Sequence, residues 1–455
     1  MKQCIMIPKE ERKILVREKH NKGATKKEKR KIFKVAALGD HELIVCEILS
    51  RLPAKSLAKF KCVCKNWQSL IQRDQLFIDL HFNRSQTRSC SGTVGATSLL
   101  IWDTTERNEQ RCLLSAELLL PYDSSGGGGG AAVQTEIPLN IGDNPVSRGS
   151  MLNIVNGLIC LIDRDSHSTC VFNPSTREST PWIKSMVVQK QEEKGGIIKH
   201  DSNKFRNFLW DKFGYDVATG DYKVVSFWSR IVGPTETEWV CEIFSLRDKS
   251  WRLIDAVPPV HPFCLASFVY ANGSIYWFCD SATPSIVELN FVTEKFRQIS
   301  VSSPVMTGFC NQYRTALVEV DGRLALFTKD ARPSYNYISR KKEHEDDVKM
   351  YILYDDQDKT NYHWMPAKSF AEPPFEWKQD MFARRDFIIP IPGTDVFIVR
   401  PDDDFSFYYY NWKKKSYSRK FELNGAKSFF NKKPNNEERD HISFSTFAEN
   451  LMPLN

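Results

Sequence analysis

Apolar positions follow two different periods along this chain, and the change falls near residue 86. Between about 38 and 85 they recur at helical spacing. From Asp40, an N-cap residue type with Glu42 following in the first turn, Ile44, Val45, Ile48, Leu49 and Leu52 return every three or four positions. Pro53 has no backbone N–H to donate and ends that run. A second piece, about Ala54 to Lys61, carries Leu57 and Phe60. A third carries Val63, Trp67, Leu70 and Ile71 at i, i+4, i+7 and i+8, and Asp74-Gln75-Leu76-Phe77 closes it. The pattern predicts three short helices. A unit of about 50 residues buries too little surface to be stable with ease alone. These helices therefore want a partner, either the rest of the chain or another protein.

Beyond residue 86 the period shortens to that of strands. Leu99-Leu100-Ile101-Trp102 and Cys112-Leu113-Leu114 read as short strands, and Gly126 to Gly130 as a flexible loop. From about 150 to 425 two kinds of unit recur. One is a Gly turn opening an apolar strand, as in Asn156-Gly157, Asn272-Gly273 and Asp321-Gly322. The other is a strand, a polar turn and a return strand, with turn centres near 176, 219, 249, 294, 359 and 415. The spacing is irregular but near the 40–50 residues of a four-stranded propeller blade. The expected fold is thus α+β and multi-domain: a small three-helix unit, then a mostly-β, propeller-like domain. A pair of packed sheets is the alternative. Residues 183–208 and 329–349 are charged and read as exposed loops, as does 122–135. The polar segment 426–455 reads as a frayed tail, with Phe444 to Leu451 able to form a short segment.

Charge changes this picture in one place. The net charge is +7 over 455 residues, yet residues 1–35 hold 13 Lys and Arg against 4 Asp and Glu. The basic character belongs to an arm, read either as a solvated, disordered extension or as a nuclear-localisation or nucleic-acid patch. The folded remainder offers no strong field for nucleic acid. No apolar run reaches membrane-spanning length and the first residues lack the apolar core of a secretory signal. Twelve irregularly spaced cysteines do not make a disulfide framework. Nucleus or cytoplasm is the expected location.

Candidate chemistry is sparse. Cys62-Val63-Cys64 has the wrong spacing for a zinc knuckle, and its cysteines read as small buried hydrophobes on the third helix. The pentaglycine loop lacks the Gly-Lys-Ser/Thr of a phosphate-binding loop. The acidic runs at Asp355-Asp356 and Asp402-Asp403-Asp404 lack the Gly and Glu of a calcium loop. No catalytic residue, cofactor or metal is expected from these patterns.

One resemblance is specific. Glu47-Ile48-Leu49-Ser50-Arg51-Leu52-Pro53-Ala54-Lys55-Ser56-Leu57, then Phe60-Lys61-Cys62-Val63-Cys64-Lys65-Asn66-Trp67, resembles a plant F-box. Phe77-Ile78-Asp79-Leu80-His81-Phe82 resembles that motif's exit. The remainder resembles the F-box-associated β domain of plants. Its most telling pieces are Phe213-Gly214-Tyr215-Asp216 with Asp221-Tyr222-Lys223-Val224-Val225, and Asn272-Gly273-Ser274-Ile275-Tyr276-Trp277. Two departures stand out: Leu38-Gly39 replaces the family's opening Leu-Pro, and one extra residue precedes Glu47. An extra residue rotates a helix by about 100°.

The resemblance implies a substrate receptor of a Skp–cullin–F-box ubiquitin ligase. Its F-box would dock on a Skp-type adaptor and through it a cullin, and its β domain would hold a target protein. Such a receptor is not an enzyme. The implied adaptor-facing or helix-bracing set is Leu43, Ile44, Ile48, Leu49, Leu52, Pro53, Leu57, Val63 and Trp67. The implied domains are an arm at 1–35, an F-box at 36–85, a β domain at 86–425 and a tail at 426–455. A β domain that binds a glycan or small ligand, or a stand-alone nuclear binding module, are the competing expectations.

Overall fold

The computed structural model describes residues 40–87, 96–103, 112–119, 131–139, 149–163, 165–193, 210–231 and 237–256. It continues with 258–259, 268–279, 285–301, 315–329, 348–355, 362–365, 368–371, 373–375, 387–401, 406–418, 420–423 and 442–454. The basic arm, the pentaglycine, the turn near 359, the Asp402–Asp404 run and nearly all of 329–349 lie outside the described residues. The chain divides into two compact units, residues 1–52 and 53–455.

The first unit contains helix α1, Asp40–Leu49. Its end is tied by Ser50, whose hydroxyl donates to the Cys46 carbonyl at 2.5 Å. An exposed Arg51–Glu47 pair spans one further turn, a geometry worth only a few tenths of a kcal/mol, roughly.

The second unit begins with three helices: α2 at Ala54–Phe60, α3 at Lys65–Arg73 and α4 at Gln75–Thr87. The fourth helix corrects the expectation of three. Asp74 is a turn residue, but it restarts the helix: extended itself, it accepts the Phe77 N–H on Oδ1 at 3.0 Å. Cys64 does the same for α3, its Sγ accepting the Trp67 N–H at 3.5 Å. Cys62 and Cys64 precede α3 and are exposed, so the expectation of small buried residues on that helix fails. An N-cap lies outside the helix, where its side chain turns back toward the first N–H groups rather than into a core. Leu57, Ile71, Phe77, Ile78 and His81 are all at most 3% exposed and form the interior of this helical part.

Six antiparallel sheets follow among the described residues. Blade 2 runs through Gly149–Val155, Leu158–Asp163, Ser168–Asn173 and Glu178–Ser179. Blade 3 is Trp210–Asp216, Asp221–Ile231, Thr237–Ser245 and Ser250–Ile254. Blade 4 is Phe268–Ala271, Ser274–Cys279, Ser285–Asn290 and Lys295–Ser300. Blade 5 starts at Thr315–Val320 and Arg323–Lys329, blade 6 at Ile388–Pro390 and Val396–Val399. Blade 1 joins Ala96–Asp103, Cys112–Leu119 and Ala131–Pro138 to a strand from the far end of the chain, Ile442–Phe447.

The apolar clusters show that these sheets close into a ring. Each cluster joins two consecutive blades. Tyr222 and Val224 pack towards Val171 of blade 2, whereas Val225 and Phe227, on the opposite face of the same strand, pack towards Trp277 of blade 4. Tyr276 and Leu326 join blades 4 and 5, Phe327 and Phe397 join 5 and 6, and Leu161 and Leu100 join 2 and 1. The sixth cluster, with Phe407 and Phe444, joins blade 6 to blade 1. Strands covered on both faces need no polar side, which is why they read as continuous apolar runs rather than as an alternation. A six-bladed propeller results, and a pair of packed sheets is excluded.

Both kinds of turn take the predicted form. Asn156-Gly157, Asn272-Gly273 and Asp321-Gly322 have positive φ at both residues, the geometry of two-residue hairpins. The longer turns end on a residue of positive φ: Arg177, Gly220, Lys249, Glu294 and Lys415. A side-chain acceptor at the start holds each of three of them: Asn173 binds the Ser175 N–H, Asp216 that of Ala218 and Asn290 that of Val292, all at 2.9 Å.

Three boundaries move. Within 426–455 the described residues, 442–454, are no frayed tail: their strand pairs with Ala96–Asp103, and Phe444, Asn450, Leu451 and Leu454 are buried. The β domain therefore runs past 425. Residues 183–208 are not simply a loop, because they contain helix α5, Met186–Glu193. The 122–135 loop ends sooner, at the strand that starts at Ala131.

Candidate functional site

The exposed apolar side chains of α1 are the first candidate. Leu43, Ile44 and Ile48 are 53%, 55% and 56% exposed. At 100° per residue they span an arc of about 140°. Leu49 lies outside that arc and is buried, and Leu52 is half-buried. Of the remaining expected residues, Pro53 is exposed, Leu57 is fully buried, Trp67 is half-buried and Val63 is 60% exposed. Trp67 meets Phe60 edge-on at 5.7 Å. The set thus divides by environment: Leu43, Ile44, Ile48 and Val63 face solvent, whereas Leu49 and Leu57 are buried. Leu76, 68% exposed on α4, belongs with the solvent-facing group and was not foreseen. Spacing alone does not separate an apolar residue that is buried from one that waits for a partner.

A proline N-cap leaves α2 short of a side-chain acceptor. Glu449 supplies one from the far end of the chain: its Oε2 accepts the Ala54 N–H at 3.0 Å. The Glu449 N–H in turn donates to the Ser85 hydroxyl on α4 at 2.7 Å. The next residue, Asn450, is buried against the propeller. Its side-chain amide donates to the Asn156 carbonyl at 2.7 Å, and Asn173 donates to its carbonyl at 3.0 Å. Residues 449–450 therefore clasp helices α2 and α4 to blade 2. No motif in the sequence signals this clasp.

The second candidate is the interface of blades 3 and 4, where the Phe213-Gly214-Tyr215-Asp216 stretch lies. Lys223 is nearly buried and reaches three oxygens: Asp216 Oδ2 at 2.8 Å, the Phe291 carbonyl at 3.0 Å and Glu294 Oε1 at 3.0 Å. Burial opposes charge on all three side chains. The hydrogen bonds reverse that effect: Asp216 and Glu294 are held below the usual carboxylate range and Lys223 above the usual lysine value. Gly214 lies against the Phe291 ring so closely that a Cβ there would stand 2.0 Å from Cε2. The motif is therefore an inter-blade lock, with a turn cap (Asp216), an ion pair (Lys223) and a space (Gly214) in one hairpin. Among the described residues no His, Cys, Asp and Glu group could hold a metal ion, and no helix is long and apolar enough to cross a membrane.

Family comparisons cover both regions. The F-box associated beta propeller domain matches residues 127–450, and the F-box domain matches residues 41–79. The chain belongs to the F-box-associated β-propeller family. Its F-box covers α1, α2 and α3 with the start of α4, and F-box domains generally bind Skp-type adaptors. An F-box/LRR-repeat/kelch-repeat protein of Arabidopsis thaliana is 26% identical over 57% of this chain and 63% of its own length. A putative F-box protein from the same plant is 26% identical over 62% of this chain and 80% of its own length. A third, an F-box protein, is 27% identical over 57% of each chain. Two of these three relatives are thus matched over less than two thirds of their length. Among solved structures, a chain of a nidogen/laminin complex aligns over 78% of this chain and 99% of its own, at 8% identity and a TM-score of 0.38. That likeness is too distant to carry an argument.

Proposed function

We propose that this chain is the substrate-recognition subunit of a Skp–cullin–F-box ubiquitin ligase. The observation that carries the reading is the solvent-facing Leu43, Ile44 and Ile48 within the F-box match. Three large apolar side chains more than half exposed on one short helix are costly in water and are repaid by a partner. Leu49 and Leu57 are buried and so are not part of the exposed set that docks. The propeller then presents a target protein. The chain breaks no bond itself. It acts by proximity, holding a target lysine near a thioester carried by another protein. The compartment that goes with this role is the nucleus, the cytoplasm or both.

The test is calorimetric titration of the full chain with a purified Skp adaptor. Ile44→Asp with Ile48→Asp should weaken binding at least about 30-fold, the effect of losing an interface hot spot. The melting temperature should not fall, because both side chains are exposed. A wild-type chain that does not bind, or a double variant that binds equally well, refutes the reading. A chain lacking residues 1–35 should bind as the wild type does.

A further inference from the structure

The described thiols of the propeller are sealed. Cys160, Cys170, Cys241 and Cys279 are at most 1% exposed. Burial pushes the Cys170 and Cys241 thiols up to about 12, and that of Cys160 well above its ordinary value. A thiol reacts as its thiolate, so these sulfurs are both shielded and protonated. Cys46 of α1 is half-buried. Among the described residues only Cys62 and Cys64 are exposed, and a single residue separates them.

Both lie in the short link between α2 and α3. Two rings hold its ends together: Phe60, the last residue of α2, meets Trp67 in the first turn of α3. The Cys62 N–H donates to the Lys59 carbonyl and the Val63 N–H to the Phe60 carbonyl, both at 3.1 Å, so the chain turns here. Two peptide units span at most about 7 Å. A turn shortens that span towards the range of roughly 4.4–6.8 Å between the Cα atoms of a disulfide. Cys64 Sγ caps α3 by accepting the Trp67 N–H at 3.5 Å, and Val63, between the two sulfurs, is 60% exposed. Among the described residues no third His, Cys, Asp or Glu joins the pair, as a metal site would need.

We propose that Cys62 and Cys64 form a dithiol–disulfide switch on the F-box, oxidised by hydrogen peroxide. One thiolate attacks a peroxide oxygen; the O–O bond breaks, hydroxide leaves and takes a proton, and a sulfenic acid forms. The second thiolate attacks that sulfur; the S–S bond forms, the S–O bond breaks and a second water leaves. Two thiols and one peroxide give one disulfide and two waters, with two electrons passing from sulfur to oxygen. Bonded to Cys62, Cys64 Sγ gives up the Trp67 N–H, so α3 loses its cap and the exposed Val63 is displaced. The effect on docking rests on the adaptor reading above: the oxidised F-box binds the adaptor less tightly than the reduced one.

The purified full chain is treated with a small excess of peroxide, alkylated with iodoacetamide and digested with trypsin without reduction. The peptide 62–65 carries both sulfurs. It should be two hydrogens lighter and unalkylated, and dithiothreitol should restore two alkylatable thiols. Cys62→Ser and Cys64→Ser should each abolish that product. Cys64→Ser keeps a capping oxygen, so α3 stays folded. In the oxidised wild type the Trp67 amide should exchange about fivefold faster, the effect of losing a cap, and in peroxide-treated Cys64→Ser its rate should not change. Calorimetry should find the adaptor bound about tenfold more weakly by the oxidised chain. A peptide 62–65 that stays fully alkylated, stops at sulfinic acid or pairs with another cysteine overturns the switch. A disulfide that leaves adaptor affinity unchanged overturns its effect on docking. An adaptor that ignores even the reduced chain refutes the docking reading, and the mass of the peptide then judges the switch by itself.

Discussion

Gly214→Ala is the smallest change that tests the inter-blade lock. The added Cβ would stand 2.0 Å from Phe291 Cε2, 2.6 Å from Cζ and 2.7 Å from Cδ2. Ordinary contact begins at about 3.5 Å, so the ring must move by more than an ångström. Phe291 is fully buried and packs near Tyr270, with ring centroids 6.5 Å apart. Its carbonyl also holds Lys223 at 3.0 Å. Overpacking of this kind costs about 1–3 kcal/mol. Against that, Ala recovers roughly 0.5–1 kcal/mol of the chain entropy that Gly loses in a strand. Phe291→Ala alone should cost about 3–5 kcal/mol through the cavity it leaves. In that background the Gly214→Ala clash has no ring to meet and should become neutral or slightly stabilising. The coupling in the double-mutant cycle is therefore about 1–3 kcal/mol. Urea unfolding of all four proteins measures it as shifts of the midpoint at constant slope. An equal cost of Gly214→Ala in both backgrounds refutes the lock.

Three further outcomes are expected. The Lys223 share of stability should be full below about pH 10.5 and vanish as pH rises through the still higher native value, while the Asp216 and Glu294 share is full above about pH 4.5 and vanishes as pH falls through their lowered native values. Stability against pH should thus be flat at neutrality, and Lys223→Met should remove the alkaline shoulder and shrink the acid one, since Arg252 still holds Glu294 and the Thr219 N–H still donates to Asp216. Deleting residues 442–454 should abolish cooperative unfolding, and a synthetic peptide of that segment, added in trans, should restore it. Glu242→Gln should cost about 1–3 kcal/mol, because the buried carboxylate accepts from Trp228 Nε1 at 2.8 Å and from the Met186 and Val187 N–H groups at the start of α5. Hydrogen exchange should quicken at those two amides, and an unchanged rate would show that the carboxylate does not hold the helix.

Local features of this protein were legible in its sequence, and remote ones were not. The two-residue turns at Asn156, Asn272 and Asp321 follow from Gly chemistry alone, and α1 to α3 follow from apolar spacing. Helix α4 was missed because Asp74, read as an end, also begins the next helix. Helix α5 was missed because its polar sequence is held by Glu242, a residue of another blade. The pairing of Ile442–Phe447 with Ala96–Asp103 was missed for the same reason at greater distance, since neither strand's composition names its partner. At the candidate docking helix the apolar spacing gives the helix, but pattern does not distinguish Ile48, which is exposed, from Leu49, which is buried.

The pairing that completes blade 1 also orders events during synthesis. The strand Ala96–Asp103 leaves the ribosome well before Ile442–Phe447, its inner neighbour in the finished sheet. At about 5–20 residues per second that interval lasts roughly 20–70 seconds. Throughout it the edge of Ala96–Asp103 is unpaired and open to other strands, the situation that favours aggregation. The acceptor for the Ala54 amide, Glu449, arrives just as late. Nascent chains should therefore need a chaperone at that edge, and a message that stops early yields a product that quality control reads as unfolded.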